Sequence, residues 1–320
     1  MFVIRLLFIS KDRSQFLERS THYLIEELKK KIHVTVWTDH GHLPTIVSSL
    51  SYRPDFIVLN DFKPDYCPFI SDIKEVDIPV GIIMHDLQYK LKQRKRWIEK
   101  ENIRHIFSHY RDPFLRWFPE YTDRFIWFPH HVPIGIFKDY QQQKTIDWLF
   151  VGASFPQMYP LRNRIITLMK KKPGFVIHPH PGYDAMDVCD EQVFVGERYA
   201  REINRAKMLL TCQSIYRFPV LKYFEGAACN TLVMADGSKE LEDLGFIDGD
   251  TFVEIDEENL LEKATYYLHH ETERMEIAAR GYDMVRKHHS TEKRADQFIN
   301  YIRNILTNHQ NNRCNEVKTK

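Results

Sequence analysis

Short buried strands alternate with helices along this chain, and this alternation constrains the fold more than any other feature of the sequence. An apolar run at residues 2–9 is followed by helical spacing at 14–31 and by a strand pattern at 33–37. Further strands are predicted at residues 56–59, 80–84, 105–107 and 125–128. Strands that alternate with helices form parallel sheets covered by helices on both faces. The first part of the chain is therefore predicted to be a doubly wound α/β domain.

The pattern stops at the polar segment 138–145 and restarts with a buried strand at 146–151. Strands and helices then alternate again, and a long helix is predicted at 291–307. We therefore predict an α/β protein of two doubly wound, Rossmann-like domains. The predicted parts are an N-terminal domain at 1–138, a C-terminal domain at 145–290, a helix at 291–307 that returns to the first domain, and a flexible tail at 308–320.

Composition excludes several classes of protein. The 45 basic and 44 acidic residues leave a formal charge of +1, so no overall field attracts nucleic acid or an anionic membrane. The five cysteines include no CxxC pair, which argues against a disulfide framework and a structural zinc site. The apolar run at the N-terminus is too short to span a membrane. These features predict a cytoplasmic protein without a transmembrane segment.

The segment 217–236, RFPVLKYFEGAACNTLVMAD, contains the most informative local pattern. It predicts a helix that starts at Pro219 and ends near Asn230, followed by a buried strand. The apolar positions recur at helical spacing, so Lys222, Glu225 and Gly226 are predicted to share the face that points away from the sheet. A carboxylate within an otherwise apolar helix indicates a binding site on that face.

Six segments of the second half resemble, in order and spacing, the group 1 (GT4-type) glycosyltransferases of GT-B fold. They are LFVGAS at 149–154, YPLRNRII at 159–166, INRAKMLLT at 203–211, LKYFEGAACNTLVMAD at 221–236, GDTFVEIDEENLLEKATYYL at 249–268 and IAARGYDMVRKHHSTEKRADQFI at 277–299. Among these enzymes the chain is most similar to the CgeB-like branch, described as spore maturation proteins. The first half is similar in outline, through GIIMHD at 81–86 and FIWFPHHVPIGIF at 125–137.

This resemblance implies that the C-terminal domain binds a nucleotide-activated sugar, usually a UDP-sugar, and that the N-terminal domain binds an acceptor. Glu225 matches the family glutamate that holds the ribose hydroxyls, and a carboxylate accepts both O–H groups strongly. The upstream glutamate of the family is replaced by Arg217, which offers a cation to the diphosphate instead. Lys222, with Tyr223 and Gly226, completes the predicted nucleotide-sugar set on this segment.

A small-residue turn, Gly152–Ala153–Ser154, follows the first strand of the second domain, where backbone N–H groups can approach phosphate. No DxD-like metal motif is in a convincing position, so we predict a metal-independent enzyme with no cofactor besides the UDP-sugar. Arg162 and Arg198 are weaker candidates for the diphosphate, because each also fits an ordinary solvated helix position.

His85 and Asp86 follow a buried strand of the first domain, at the edge where open α/β sheets bind ligands. They are the predicted catalytic residues. Either one is a candidate general base if the enzyme inverts the sugar configuration. If it retains configuration, which the family likeness favours, the leaving phosphate takes the proton. The alternative for His85 is a strand-end histidine that hydrogen-bonds to the backbone.

Two further patterns leave alternatives open. His178 and His180 flank Pro179 and look like a metal tract, but side chains so placed diverge, and we predict no metal site. The basic run YKLKQRKR at 89–96 either attracts an anionic acceptor or a membrane surface, or is a solvated helix face.

The sequence therefore predicts a glycosyltransferase that moves a sugar from a UDP-sugar to an unidentified acceptor. The resemblance further implies a spore surface protein or polysaccharide as the acceptor, in the mother cell or at the spore surface. Two alternatives remain: a UDP-sugar epimerase, and a catalytically degenerate GT-B protein with a sugar-binding or structural role.

Overall fold

The computed structural model describes residues 3–178, 180–183 and 193–318, with side chains to residue 311. The described chain forms two compact units. The first comprises Met1–Ser14, Thr21–Pro129 and Glu292–Lys320, and the second comprises Gln15–Ser20 and His130–Thr291. The polar segment 138–145 thus lies within the second unit. Pro179, which lies between the two histidines of the supposed metal tract, and Cys189, one of the five cysteines, are outside the described residues.

The first unit consists of short strands joined by helices. Its strands are β1 (Arg5–Ile9), β2 (His33–Trp37), β3 (Gly41–His42), β4 (Phe56–Asn60), β5 (Ile70–Ser71), β6 (Val80–Met84), β7 (His105–Ser108) and β8 (Phe125–Trp127). Its helices are α1 (Ser20–Lys29), α2 (Leu43–Ser49), α3 (Leu91–Lys100) and α4 (Arg111–Trp117), with 3₁₀ helices at Ile73–Glu75 and Pro119–Arg124.

Six of these strands form one parallel sheet in the order β2-β1-β4-β6-β7-β8. Strand β1 has β2 on one side and β4 on the other. The chain therefore adds strands in one direction from β1 to β2 and in the opposite direction from β4 onward, so the strand order reverses between β1 and β4. The carboxyl ends of these two strands therefore border the crevice in which open α/β sheets bind ligands. Ser10 directly follows β1, and Asn60 is the last residue of β4.

The last helix of the chain packs on this first sheet. Its side chains Phe298 and Ile302 are buried in the same core as Phe8, Val58 and Phe107 of the strands. A helix that follows the second unit in sequence therefore supplies core side chains to the first, as predicted.

The second unit repeats the architecture. Its strands are β9 (Ile146–Val151), β10 (Phe175–His178), β11 (Ala206–Leu210), β12 (Leu232–Ala235) and β13 (Val253–Glu254). Its helices are α5 (Pro160–Met169), α6 (Gly196–Asn204), α7 (Leu221–Ala228), α8 (Lys239–Asp243), α9 (Leu260–His269) and α10 (Glu271–His288). The final helix, α11, is Thr291–Lys318.

The second sheet is also parallel, in the order β10-β9-β11-β12-β13. Here the strand order reverses between β9 and β11. The turn that follows β9, at 152–154, and the segment that follows β11, at 211–213, therefore border the ligand-binding crevice of this unit.

Several helix boundaries differ from the sequence prediction, and α1 spans only Ser20–Lys29 of the predicted 14–31. Helix α7 begins at Leu221 rather than Pro219, because Val220 is still extended, with φ −82° and ψ 157°. Helix α11 continues to Lys318 rather than ending at Thr307, since the sequence beyond Thr307 contains no proline or glycine to end it. The predicted end of α7 agrees with the structure, in which Asn230 is left-handed with φ 52°.

Candidate functional site

Arg162 connects the two loops at the strand reversal of the second unit. Its Nη1 donates to the Ala153 carbonyl at 2.9 Å, and its Nη2 donates to the Cys212 carbonyl at 3.1 Å. The guanidinium lies 3.8 Å from the centre of the Tyr159 ring, and the side chain is buried. The alternative of a solvated helix residue is therefore wrong for Arg162, which instead fixes the turn after β9 to the end of β11.

Gly152 allows helix α7 to approach this turn. Its φ is +138°, and a Cβ atom at this position would lie 2.7 Å from Cε of Lys222 and 3.4 Å from Nη1 of Arg162. Any larger residue would displace the lysine. Two cations of the candidate site thus converge on a backbone turn that only glycine fits.

Lys222 is a desolvated cation. Burial lowers its pKa to about 8, and the positive charge of Arg162 acts in the same direction, whereas the Glu225 carboxylate raises the pKa. The ammonium lies 5.9 Å from the centre of the Tyr199 ring. It makes no hydrogen bond or ion pair to any other residue whose side chain the structure describes. A cation held in this way is suited to an anionic ligand.

Glu225 lies one helical turn after Lys222. Burial raises its pKa, the Lys222 charge and the nearby Tyr199 hydroxyl oppose that shift, and Glu18 raises the pKa further. No local sequence pattern indicated Tyr199 or Glu18. Tyr199 is on α6 and Glu18 is in the segment that joins the second unit, so only the tertiary structure brings them to the carboxylate.

His180 was also missed as part of this site. Burial lowers its pKa to about 4, and the charges of Lys222 and Arg162 lower it further. Its Nδ1 accepts the Gly182 N–H at 3.0 Å. The neighbouring His178 has a different partner, with its Nε2 2.8 Å from Oε1 of Glu202. The two histidines of the supposed metal tract therefore make separate contacts.

Tyr223 is placed in the core rather than on the binding face. Its side chain is fully buried, and its hydroxyl donates to the Asp236 carbonyl at 2.7 Å and lies 2.9 Å from the Asp236 carboxylate. The same carboxylate accepts the Gln213 N–H at 2.7 Å. Tyr223 therefore joins the loops that follow β11 and β12, and its hydroxyl is engaged within the protein.

The prediction that Gly226 shares a face with Glu225 is wrong. A Cβ atom at Gly226 would lie 2.7 Å from Cδ2 of Leu209 and 2.7 Å from Cγ2 of Val233. The residue therefore faces the sheet, and its lack of a side chain lets α7 lie close to strands β11 and β12. Sequence periodicity assigned it to the open face because glycine carries no side chain that shows its orientation.

Replacing Gly226 with alanine should lower the free energy of unfolding by about 1–3 kcal/mol, because the new methyl group overpacks the contact between α7 and the sheet. Gly135→Ala is the matched control, since a Cβ there meets nothing within 4 Å. Urea denaturation of the two variants and the wild type measures the difference. Equal stability of both variants would contradict the packing role.

Arg217 and Ser154 lie at the edge of the candidate site. Arg217 is exposed and left-handed, with φ 61°, and its N–H donates to the Ser214 carbonyl at 2.8 Å. The Ser154 carbonyl accepts from Nδ2 of Asn163 at 2.8 Å, which fixes the end of the glycine turn to α5. Arg198 lies farther along, where its Nη1 donates to the Val193 carbonyl at 3.1 Å.

In the first unit, His85 and Asp86 follow β6 at the carboxyl edge of the sheet. His85 is buried, its ring stacks on Tyr66 at a centroid distance of 4.4 Å, and its Nε2 lies 2.7 Å from Oδ1 of Asn60. Asp86 forms an ion pair with Lys63 at 2.8 Å. His85 therefore contacts a side-chain amide, rather than only the backbone as its alternative assignment supposed.

A buried ion pair, which the sequence analysis did not find, supports both residues. Arg94 lies 2.6 Å from Oδ1 of Asp61, and both side chains are fully buried. Asp61 Oδ2 accepts the His85 N–H at 2.8 Å, while Arg94 Nη1 donates to the Asp86 carbonyl at 2.7 Å. Arg94 belongs to the basic run, so one of the supposed surface cations is part of the core. Its position four residues before the buried Ile98 was the available signal.

Among the described residues, one group has the side chains to hold a metal ion: His42, Asp72 and Glu75, whose ligand atoms lie within 4.8 Å of one another. Two of the three are exposed, and nothing else there indicates an ion. No helix in the described part of the chain is both long and apolar enough to cross a membrane.

A profile of a family described as glycosyl transferase-like matches residues 162–300. No curated protein matches the chain. Among solved structures, sucrose-phosphate synthase from Thermosynechococcus elongatus is 14% identical, with a TM-score of 0.65 over 95% of this chain and 99% of that one.

Two other structures are similar over nearly their whole lengths. HepE from Anabaena, solved in complex with UDP, is 10% identical, with a TM-score of 0.66 over 95% of this chain and 100% of that one. A glycosyltransferase from Rickettsia africae is 12% identical, with a TM-score of 0.63 over 96% of this chain and 100% of that one. The predicted fold class is confirmed: the chain has the two-domain GT-B fold of glycosyltransferases, and residues 162–300 match the glycosyl transferase-like family.

Proposed function

We propose that this protein is a glycosyltransferase that moves a sugar from a nucleoside diphosphate sugar to an acceptor. The observation that carries the proposal is Lys222, a half-buried cation that points at the glycine turn after β9 and has Glu225 one helical turn away. A cation, a backbone turn and a carboxylate are the groups that a diphosphate followed by a ribose requires.

Each group has a distinct role in this proposal. Lys222 stabilises the negative charge that develops on the departing diphosphate, and the turn at 152–154 accommodates the phosphate oxygens. Glu225 accepts the ribose hydroxyl groups. Arg217 is exposed beside the start of α7, where a flexible cation is available to the diphosphate. Because these cations can neutralise the charge of the diphosphate without a metal ion, we propose a metal-independent enzyme.

We propose UDP as the nucleotide. HepE, which has the same fold, was solved in complex with UDP and with UDP-glucose. The resemblance to group 1 transferases supports retention of configuration, and the engagement of Asp86 by Lys63 supports it further, since that carboxylate is not available as a base.

The acceptor is proposed to bind the first unit. A cavity of about 300 Å³ lies at the carboxyl ends of β1 and β2 and includes Lys11, Arg13, Ser14 and Thr21 among its lining residues. Its mixture of charged and hydroxyl groups suits a polar acceptor. The resemblance to the CgeB-like branch makes a spore surface protein or polysaccharide the first acceptor to test, with transfer in the cytoplasm of the mother cell.

Binding of the donor is tested by thermal melting with a panel of nucleotides and nucleotide sugars. A ligand at 100 times its Kd stabilises the folded state by about 2.7 kcal/mol, so the wild type should melt at a higher temperature with UDP or one UDP-sugar. Glu225→Ala should lose this shift. Glu257→Ala, which removes an exposed carboxylate of the same unit, should keep it.

Other results would favour the alternatives. If no nucleotide stabilises a well-folded wild type, the transferase proposal is wrong and a structural role follows. If the protein converts a UDP-sugar to its isomer without releasing UDP, the epimerase alternative is correct.

A further inference from the structure

Three polar side chains form a hydrogen-bonded chain across the strand reversal of the first sheet. Ser10 follows β1, Asn60 ends β4 and His85 follows β6. The Ser10 hydroxyl donates to the Lys11 carbonyl at 2.8 Å, Nδ2 of Asn60 donates to Oγ of Ser10 at 3.1 Å, and Oδ1 of Asn60 lies 2.7 Å from Nε2 of His85. Ser10, Asn60 and His85 are all buried.

The direction of each hydrogen bond in this chain follows from the first one. The single proton of the Ser10 hydroxyl is used on the Lys11 carbonyl, so its oxygen accepts from Asn60. The Asn60 amide must then present its NH₂ group to Ser10 and its oxygen to His85. An amide oxygen is only an acceptor, so Nε2 of His85 carries the hydrogen. In a neutral ring, Nδ1 then holds the lone pair, and it has no hydrogen-bond partner among the described residues.

The surroundings keep this ring neutral. Burial lowers the pKa of His85 well below its usual value, and nearby His109, Arg13, Arg94 and Lys63 lower it further. The Tyr66 ring stacks on the imidazole. The nearby carboxylates are committed elsewhere: Asp61 pairs with Arg94 and accepts the His85 backbone N–H, and Asp86 pairs with Lys63.

We propose that Asn60 is a positioning residue that holds His85 as the neutral Nε2–H tautomer, so that Nδ1 accepts a hydrogen bond from a substrate hydroxyl without removing its proton. The role in transfer rests on the proposed function, whereas the tautomer does not. An amide behind the imidazole cannot compensate a positive charge as a carboxylate would. The ring therefore orients a hydroxyl group and is not a general base.

The tautomer is measured by long-range ¹H–¹⁵N NMR of the full-length protein labelled at histidine nitrogen, with His85→Gln to assign the resonances. In the wild type we expect a protonated Nε2 and an unprotonated Nδ1, unchanged from about pH 8 to about pH 6. An ordinary histidine is half protonated near pH 6.5. A protonated Nδ1 in the neutral ring, or titration near pH 6.5, would overturn the proposal.

Two variants test whether the hydrogen-bonded chain is the cause. Thr21 Oγ1 also donates to Oδ1 of Asn60 at 3.3 Å, so Ser10→Ala is combined with Thr21→Val to remove both hydroxyl groups that orient the amide. Asn60 can then turn over, and both tautomers of His85 should appear. Asn60→Asp places a carboxylate against Nε2, so the ring should become doubly protonated within the measured pH range. Ser48→Ala, which removes an exposed hydroxyl on α2, should leave the His85 signals unchanged. Unchanged signals in the first two variants would remove Asn60 from this role.

Activity gives a separate measurement. If the wild type transfers sugar, Asn60→Asp should lower kcat at least tenfold at neutral pH, add an ionisation to the pH profile and leave the donor KM within about twofold. Normal turnover in this variant, with an altered His85 spectrum, would contradict the role of the tautomer in transfer. Absence of UDP binding would contradict the proposed function alone, and the NMR result would still decide the tautomer.

Discussion

Replacing Arg94 with methionine should lower the free energy of unfolding by about 3–5 kcal/mol, because it leaves the carboxylate of Asp61 buried without its counter-ion. The pair is 2.6 Å apart with no exposed side-chain surface on either partner. The same substitution removes the hydrogen bond from Arg94 to the Asp86 carbonyl. Urea denaturation, followed by circular dichroism, measures the loss.

Arg96→Met is the matched control, since Arg96 belongs to the same helix and is exposed. Its effect should stay within about 0.5 kcal/mol, as for most surface substitutions. The double variant Asp61→Asn with Arg94→Met should be more stable than Arg94→Met alone, because it leaves no charge buried without a partner, and asparagine tolerates the left-handed backbone of Asp61, with φ 76°. Equal losses for Arg94→Met and Arg96→Met would show that the pair is not important for stability.

Replacing Lys222 with methionine should lower kcat for sugar transfer about 10²–10³-fold, because the departing diphosphate loses a preorganised cation. Methionine has nearly the same length and fills the same space against the Gly152 turn. Lys171→Met, at an exposed position in the same unit, should transfer sugar at the wild-type rate. A Lys222→Met variant that melts like the wild type and keeps full activity would contradict the assignment.

The pH dependence of UDP binding gives a second measurement on the same residue. The pKa of Lys222 is about 8 in the free protein, and a bound diphosphate raises it. Between these two values the complex holds one proton more than the free protein, so affinity for UDP should fall as the pH rises above about 8. In Lys222→Met this part of the pH dependence should be absent. Isothermal titration calorimetry from about pH 7 to about pH 9.5 checks it.

The sequence predicted most strands of the two larger sheets, though not β13, because buried strands and amphipathic helices have distinct periods. Strands β2, β6 and β9 have the predicted boundaries. The sequence also identified Glu225 and Lys222, since charged side chains in an apolar helix are visible as departures from its pattern. The prediction that these two residues lie close together agrees with the structure, because their spacing on one helix fixes it.

Contacts between distant parts of the chain were decided by the tertiary structure alone. Periodicity shows that a face is buried, but it does not show which group meets it. Arg94 was therefore counted with a surface run, although Asp61 lies 33 positions earlier in sequence and 2.6 Å away in space. The orientation of Gly226 toward the sheet was hidden for a related reason, since glycine has no side chain whose polarity indicates a direction.

In both candidate sites, the sequence predicted relations between neighbouring residues, and the tertiary structure decided the contacts between distant ones. The sequence by itself determined that His85 follows a strand, that Gly152 follows another, and that Glu225 and Lys222 share a helix, because local pattern fixes these relations. Only the tertiary structure decided that Asn60 and Ser10 orient the His85 ring and that Arg162 anchors the glycine turn. Parallel strands bring their carboxyl ends to one edge whatever their separation in sequence, so the partners at that edge follow from the strand order.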